Sequence, residues 1–187
     1  MHSAAMSAGE SRLPNRTPRA RAYQPTVRFF HLPHLRRLRG SEQVAAVCYR
    51  VRKSGIEFLL VRTRSGRWTF PKGSAEPGLT HAQAAALEAF EEAGVHGRME
   101  EASFTRYVRR KRGGERDSAV ATVVNAHLCE VLWLDPPQEA GRNPTWFSAE
   151  KATRRLREDR AADFGAELAR VVERAVGRIE RLHTLGG

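Results

Sequence analysis

A capped helix between two β-rich regions is the feature that most constrains the fold of this chain. Residues 80–94 read THAQAAALEAFEEAG, in which Thr80 is a typical N-cap and Gly94 stands where a helix ends in the left-handed conformation. This pattern predicts a helix of about 13 residues. Because strand-like runs lie on both sides of it, the helix must pack on a sheet, and the chain is expected to form an α/β fold.

Alternating and apolar runs around this helix predict the sheet. The candidate strands are QVAAVCYRV and IEFLLVRTR, joined as a hairpin by RKSG, then the short RWTFPKG piece, ASFTRYVRRKR, a GGERD turn, SAVATVVNAHLCEVLWL and NPTWFS. Ser148 is expected to cap a helix over AEKATRRL, and helical spacing predicts a last helix from about Asp163 to Leu182. We therefore predict one mixed α/β sandwich domain over residues 42–187, with residues 163–187 as its C-terminal helix.

The net charge of +11 is concentrated at the N-terminus. Residues 1–40 contain eight arginines and a single glutamate, so they carry +7 of that charge. Their Ser, Pro and Arg content predicts a basic, flexible extension over residues 1–41. A basic arm of this kind is also compatible with binding to nucleic acid or to an anionic membrane surface.

Cysteine usage and hydropathy indicate the compartment. Cys48 and Cys129 both fall in apolar, strand-like runs without CxxC or Cys/His spacing, which favours buried thiols over a disulfide or a zinc site. No apolar run approaches the roughly 20 residues that cross a bilayer, so no membrane span is expected. We therefore expect a cytoplasmic protein.

Three glutamates, Glu88, Glu91 and Glu92, share about one turn of the predicted helix. Carboxylates three or four residues apart repel one another, so this cluster is either a solvated face or a site where a divalent cation removes the repulsion. Basic residues flank the turn that leads into the helix: Arg62, Arg64, Arg67 and Lys72. Acidic and basic groups in this arrangement suit a complex of Mg²⁺ with phosphate oxygens.

At these residues the sequence resembles the Nudix hydrolases, which carry the pattern G-x5-E-x7-R-E-U-x-E-E-x-G-U, where U is aliphatic. The matching positions are Gly73, Glu88, Ala89, Glu91, Glu92, Gly94 and Val95. The lead-in WTFPKG and the segment Glu76-Pro77-Gly78 are also similar to the branch that contains the diphosphoinositol polyphosphate phosphohydrolases and their bacterial relatives. The resemblance implies a Nudix-type α/β/α sandwich with a mixed sheet and a catalytic loop-helix-loop.

Two positions depart from the family pattern. Leu79 stands at the place of its first glutamate, and Leu87 at the place of its arginine. Losing both members of an ion pair is milder than losing one, because no charge is left without a partner and two leucines can replace the pair by apolar contact. Glu76 is a secondary candidate for an extra metal ligand.

The resemblance assigns roles residue by residue. It makes Glu88, Glu92 and the backbone carbonyl of Gly73 the ligands of Mg²⁺, with Mn²⁺ as an alternative, and Glu91 the general base. The expected reaction is hydrolysis of a phosphoanhydride by a water that the metal activates. Its substrate would be a nucleoside diphosphate derivative, a dinucleoside polyphosphate or a diphosphoinositol polyphosphate. The candidate phosphate contacts are Arg64, Arg67, Lys72, Arg109 and Arg142.

Other readings of the sequence remain open. A Nudix-fold module of low activity would bind a phosphorylated ligand or RNA, and the two leucines are compatible with that role. An enzyme acting on RNA 5′ diphosphates would use the basic arm, although a small-molecule substrate is favoured. The tryptophans, Trp68, Trp133 and Trp146, are expected in the core. The apolar stripe of the last helix favours docking on its own domain and leaves monomer or homodimer open.

Overall fold

A computed structural model describes residues 42–111 and 120–185 of the chain. In chain order, its elements are β1 (Glu42–Arg52), β2 (Gly55–Arg62), β3 (Trp68–Thr69), β4 (Lys72–Ser74), α1 (His81–Ala93), β5 (Val95–Met99), β6 (Thr105–Lys111), β7 (Val120–Leu134), β8 (Thr145–Ser148), α2 (Ala149–Arg157) and α3 (Ala162–Leu185). All three predicted helices are therefore present. None of the helices in these two ranges is long and apolar enough to cross a membrane.

The strands of the described ranges form a mixed sheet with β1 at its centre. β1 runs parallel to β7 on one side, and on the other it pairs antiparallel with β2 and β4. β5 and β6 pair with β7, while β3 and β8 pair with β2, all of them antiparallel. This sheet, with its three helices, confirms the predicted fold class and the predicted β1–β2 hairpin.

Successive residues of β1 enter two separate cores on opposite faces of the sheet, because side chains alternate along a strand. Val44, Ala46 and Cys48 pack with alanines of α1, whereas Ala45, Val47 and Tyr49 pack with α2 and α3. From α3 the second core takes Leu168, Val171, Val172, Ala175 and Ile179. The apolar stripe of the C-terminal helix therefore docks on its own domain, as predicted.

Both cysteines are buried free thiols, as predicted. Cys48 and Cys129 face each other in the register of the parallel β1–β7 pair. A hydrogen bond with Cys129, followed by burial, raises the pKa of the Cys48 thiol well above its usual value. The thiol form is thereby favoured over the thiolate, which suits a structural role.

One tryptophan contradicts the prediction that all three lie in the core. Trp68 is buried, but Trp133 is 56% exposed near the end of β7. Its ring stacks on the His96 imidazole with centroids 4.8 Å apart and planes 13° from parallel. The apolar run of β7 continues beyond the part that both layers of helices cover, so hydrophobicity alone placed this residue wrongly.

Two further segments bear on the predictions. β5, which pairs with β7 through a bulge between His96 and Gly97, was not predicted, because its VHGRM sequence lacks a clear alternation. The predicted GGERD turn at residues 113–117 and the basic extension at residues 1–41 lie outside the described residues.

Candidate active site

Caps at both ends fix where α1 begins and ends, and with it the position of the glutamates. The Thr80 side chain accepts a hydrogen bond from the Gln83 backbone N–H, and the Gln83 side chain accepts one from the Thr80 backbone N–H, which completes a capping box. At the other end Gly94 adopts φ 66°, and its N–H donates to the carbonyl of Phe90. Both predicted caps are therefore confirmed.

Glu88 lies directly against Gly73 of β4. A Cβ atom built on Gly73 would lie only 1.6 Å from Oε1 of Glu88. Any residue other than glycine at this position would therefore displace the Glu88 carboxylate. The glycine thus forms a cradle that brings a side-chain carboxylate next to the β4 backbone. Carboxylate and backbone carbonyl oxygens are ligands that hard divalent cations prefer, and this arrangement fits such an ion.

Glu92, one turn further along α1, is almost completely buried, at 2% exposure. Its Oε2 accepts a hydrogen bond from the Lys72 backbone N–H at 3.3 Å. Its Oε1 lies 2.7 Å from Nη2 of Arg142. The same guanidinium contacts Glu139, with Nη2 at 2.6 Å and Nε at 2.8 Å from Oε2. A single arginine therefore bridges a helix glutamate and a loop glutamate.

The acidic groups of the site crowd one another. Burial, followed by repulsion from Glu92, Glu91 and Glu139, raises the pKa of Glu88 to about 8. Burial also raises the pKa of Glu92, although Arg142 and Lys72 oppose this. Negative charge at this point is thus only partly compensated by the protein itself, which is the electrostatic condition for binding a cation.

No three carboxylate, imidazole or thiolate side chains are grouped to hold a metal ion anywhere in the two described ranges. At Glu92, the Arg142 guanidinium lies where a cation would bind. The Gly73 cradle and the incomplete charge compensation nevertheless fit a divalent ion at Glu88 and Glu92.

Of the five predicted phosphate contacts, Lys72 and Arg142 lie near the glutamates, and Arg109 lies near Lys72. Lys72 is largely buried and has its pKa lowered first by that burial, with Arg109 and Arg142 adding repulsion and Glu92 and Glu88 opposing it. Neither Lys72 nor Arg109 forms an ion pair with a carboxylate of the described residues. Their charges are available to an anion.

The other two predicted contacts lie on the turn after β2. Arg64 is exposed and lines an open cleft of about 710 Å³ between residues 62–66 and the loop at residues 139–143. Arg67 is exposed on the same turn, where its Nε donates to the Ser65 hydroxyl. The cleft therefore joins Arg64 to the Arg142 side of the glutamate cluster, while Arg67 is not among its lining residues.

Neither leucine that departs from the family pattern belongs to the two cores. Leu79 is 38% exposed in the loop before α1, and Leu87 is half-buried on the helix. The expectation that they replace an ion pair by buried apolar contact thus has no support at Leu79.

Two residues of the site were missed in the sequence. Glu139 sits in the β7–β8 loop, where its backbone N–H donates to the Glu91 carbonyl at 2.9 Å. Arg160, between α2 and α3, donates to the carbonyls of Trp68 and Leu156, and burial and then Arg67 lower its pKa. Neither position belongs to a motif, so only the folded chain shows that they are close to the site.

The raised pKa of Glu88 makes stability depend on pH in the metal-free protein. Between the ordinary value of 4.5 and about 8, folded Glu88 holds a proton that the unfolded chain has lost. The folded state then binds more protons, so the free energy of unfolding falls as pH rises through this window. In urea unfolding with a chelator present, we expect Glu88→Gln to reduce the fall of the unfolding free energy with pH. The control Glu173→Gln, at an exposed position, should show the same fall as the wild type. An equally steep decline in Glu88→Gln would contradict this cause.

The fold and this site together define a class of protein: a mixed α/β sandwich whose loop-helix-loop places half-buried Glu88 and buried Glu92 beside a glycine cradle and basic side chains. The family model described as NUDIX domain matches residues 41–169. The chain belongs to the Nudix domain family, which confirms the predicted family. Membership of the diphosphoinositol polyphosphate branch stays a prediction.

Solved structures of other Nudix proteins share the fold. An Ap4A hydrolase of C. elegans, in a binary complex, is 23% identical with a TM-score of 0.56 over 74% of this chain and 97% of that chain. The E. coli dihydroneopterin triphosphate pyrophosphohydrolase is 14% identical with a TM-score of 0.53, over 72% and 96%. The NUDIX domain of Shewanella oneidensis NrtR, complexed with ADP ribose, is 17% identical with a TM-score of 0.54, over 84% and 94%. With the family match, the hydrolase neighbours support the prediction of a pyrophosphohydrolase.

Proposed function

We propose that this chain is a Mg²⁺-dependent Nudix hydrolase that cleaves a phosphoanhydride bond in a nucleoside polyphosphate, with a dinucleoside polyphosphate as the favoured example. The observation that carries the proposal is the Gly73 cradle, which presses the Glu88 carboxylate against β4 beside buried Glu92. The likeness to an Ap4A hydrolase supports a nucleoside polyphosphate. Nucleoside diphosphate derivatives and diphosphoinositol polyphosphates contain the same bond and belong in the same assay.

The residues that would hold the ion are Glu88, Glu92 and the backbone carbonyl of Gly73. All three offer oxygen ligands, which favours Mg²⁺, with Mn²⁺ as the alternative. A divalent ion bound there supplies charge neutralisation for the diphosphate and acidifies a water molecule for attack on phosphorus. Without such an ion, the negative charges of Glu92, Glu91 and Glu139, which after burial raise the pKa of Glu88, would also repel an anionic substrate.

The remaining roles fall to side chains around the glutamates. Glu91, the neighbour of Glu92 on α1, is the proposed general base that takes a proton from the attacking water. Lys72 and Arg109 provide positive charge beside the acidic cluster and would bind phosphate oxygens. Arg64 would bind a more distant phosphate across the open cleft, and Arg67 would contribute from the same turn.

A substrate panel tests this function. The full chain would be incubated with a dinucleoside polyphosphate, ADP ribose, a nucleoside triphosphate and a diphosphoinositol polyphosphate, each with Mg²⁺, with Mn²⁺ and with a chelator. We expect metal-dependent release of phosphorylated products, fastest from the dinucleoside polyphosphate. Hydrolysis that continues in the chelator, or no hydrolysis of any compound at high enzyme concentration, would reject the proposal.

A second candidate is a binding module with little turnover. Leu87 replaces the family's arginine, and the NUDIX domain of NrtR in the comparison was complexed with ADP ribose. Calorimetry that detects tight ADP ribose binding, together with no hydrolysis in the panel, would favour this candidate over the enzyme.

A further inference from the structure

Arg142 holds the most deeply buried carboxylate of the site. Its guanidinium lies 2.7 Å from Oε1 of Glu92, and the two side chains are only 18% and 3% exposed. Such a pair is poorly screened by water, so the guanidinium is a strong local counter-ion for Glu92. From the sequence, Arg142 is predicted to contact the substrate, whereas in the structure its guanidinium contacts Glu92, a proposed metal ligand.

A guanidinium and a divalent ion compete for the same carboxylate. Glu92 already accepts a hydrogen bond from the Lys72 backbone through Oε2, so Oε1 is the oxygen that Arg142 occupies. A dication brought to this oxygen would repel the arginine beside it. The ion must therefore either displace Arg142 or bind Glu92 weakly.

Glu139 provides a place for the displaced guanidinium. Both Nε and Nη2 of Arg142 lie within 2.8 Å of Oε2 of Glu139, so Arg142 stays anchored when its contact with Glu92 breaks. The loop itself need not move, because the Glu139 backbone N–H is bonded to the Glu91 carbonyl of α1. Arg142 also lines the cleft that contains Arg64.

We propose that Arg142 is a resident counter-ion of Glu92 that a divalent ion displaces, and that Glu139 then holds the freed guanidinium at the cleft to meet a substrate phosphate. This inference rests on the proposed metal site. It links metal binding to phosphate binding, because the guanidinium that leaves the metal ligand Glu92 stays at the cleft, where it would bind a phosphate of the substrate. It also reconciles the predicted substrate contact with the observed ion pair.

Thermal unfolding of the full chain provides a test that does not depend on activity. In a chelator, Arg142→Met leaves Glu92 buried without its counter-ion, and we expect the melting temperature to fall by about 5 °C relative to the wild type. In saturating Mg²⁺ the ion replaces the arginine, so the difference should shrink to about 1 °C. If the difference in melting temperature persists in Mg²⁺, Arg142 only stabilises the fold, and the proposal is overturned.

Metal affinity provides the second test. Electron paramagnetic resonance of the free ion measures Mn²⁺ affinity in the absence of substrate. We expect Arg142→Met to bind Mn²⁺ about tenfold more tightly than the wild type, since no guanidinium has to be displaced. Arg64→Met is the matched control: it removes one positive charge from the same cleft, but Arg64 forms no ion pair with the described residues. We expect it to tighten Mn²⁺ binding less than about threefold.

The remaining outcomes are also decisive. Equal tightening in both variants would mean that net charge alone matters and would overturn the counter-ion role. If Arg142→Met is unfolded in the chelator, recovery of the fold in Mg²⁺ supports the proposal, and failure to recover contradicts it. If the wild type binds no Mn²⁺ and gains no stability from Mg²⁺, the metal site of the proposed function fails, and this inference fails with it.

Discussion

Glu91→Gln is expected to lower the turnover number about a thousandfold, within the range by which a positioned base accelerates proton transfer. The amide keeps the size of the side chain but cannot take a proton from the attacking water. Since Glu91 is not a proposed metal ligand, Mn²⁺ affinity should change less than about threefold. Steady-state kinetics on the best substrate of the panel, with Mn²⁺ binding measured in parallel, provide the check.

Glu92→Gln separates this role from metal binding. It removes a proposed ligand and leaves Arg142 facing a neutral amide, so both metal affinity and turnover should fall. The exposed Glu173→Gln on α3 is the control for loss of one carboxylate and should behave as the wild type. If Glu91→Gln retains wild-type turnover, another group is the base. A loss of metal affinity in Glu91→Gln would instead make that residue a ligand.

Gly94→Ala is expected to reduce the free energy of unfolding by about 3 to 4 kcal/mol, the sum of left-handed backbone strain and steric overlap. The residue has φ 66°, and an added Cβ would lie 1.8 Å from the backbone carbonyl oxygen of Asp135. Backbone atoms cannot rotate away, so the C-terminus of α1 or the start of the β7–β8 loop must shift. Urea unfolding measures the loss.

Gly73→Ala is the matched comparison for this prediction. Its added Cβ would overlap even more closely, at 1.6 Å, but with the carboxylate end of Glu88. A side-chain end moves at little cost, so we expect a stability loss of about 1 kcal/mol or less, together with weaker metal binding. Equal destabilisation by the two alanines would contradict the distinction between backbone and side-chain overlap.

Local signals in the sequence were sufficient to predict the elements around the site. Thr80 and Gly94 could be predicted as the ends of α1 because capping depends on neighbouring backbone groups. The Thr80–Gln83 capping box likewise involves residues only three positions apart. The β1–β2 hairpin follows from alternation on both sides of a short turn. Such features depend on contacts between residues that are close in the sequence, and for that reason they can be predicted from it.

Other features depend on contacts between distant segments. The ion pair joins Arg142 to Glu92 across 50 positions, and Glu139 reaches α1 through a loop that carries no motif. The resemblance to related phosphohydrolases predicted that Arg142 would contact the substrate, but the partner of a charged side chain depends on the folded geometry. The exposure of Trp133 was likewise missed, because an apolar run does not show where the covering layers end.

The register in which β4 pairs with β1 fixes the positions of both Lys72 and the Gly73 cradle. Lys72 pairs with Ala45, whose side chain is in the core under α2 and α3, whereas Gly73 faces Glu88 of α1. Adjacent residues of this short strand thus start on opposite faces of the sheet, although the charge of Lys72 still interacts with Glu92 and Glu88. A shift of β4 by one residue would exchange the faces and bring a side chain into the space that Glu88 fills. An insertion or deletion that shifts this register by one residue would therefore move both Lys72 and the space at Gly73 in one step, while the sheet could still form.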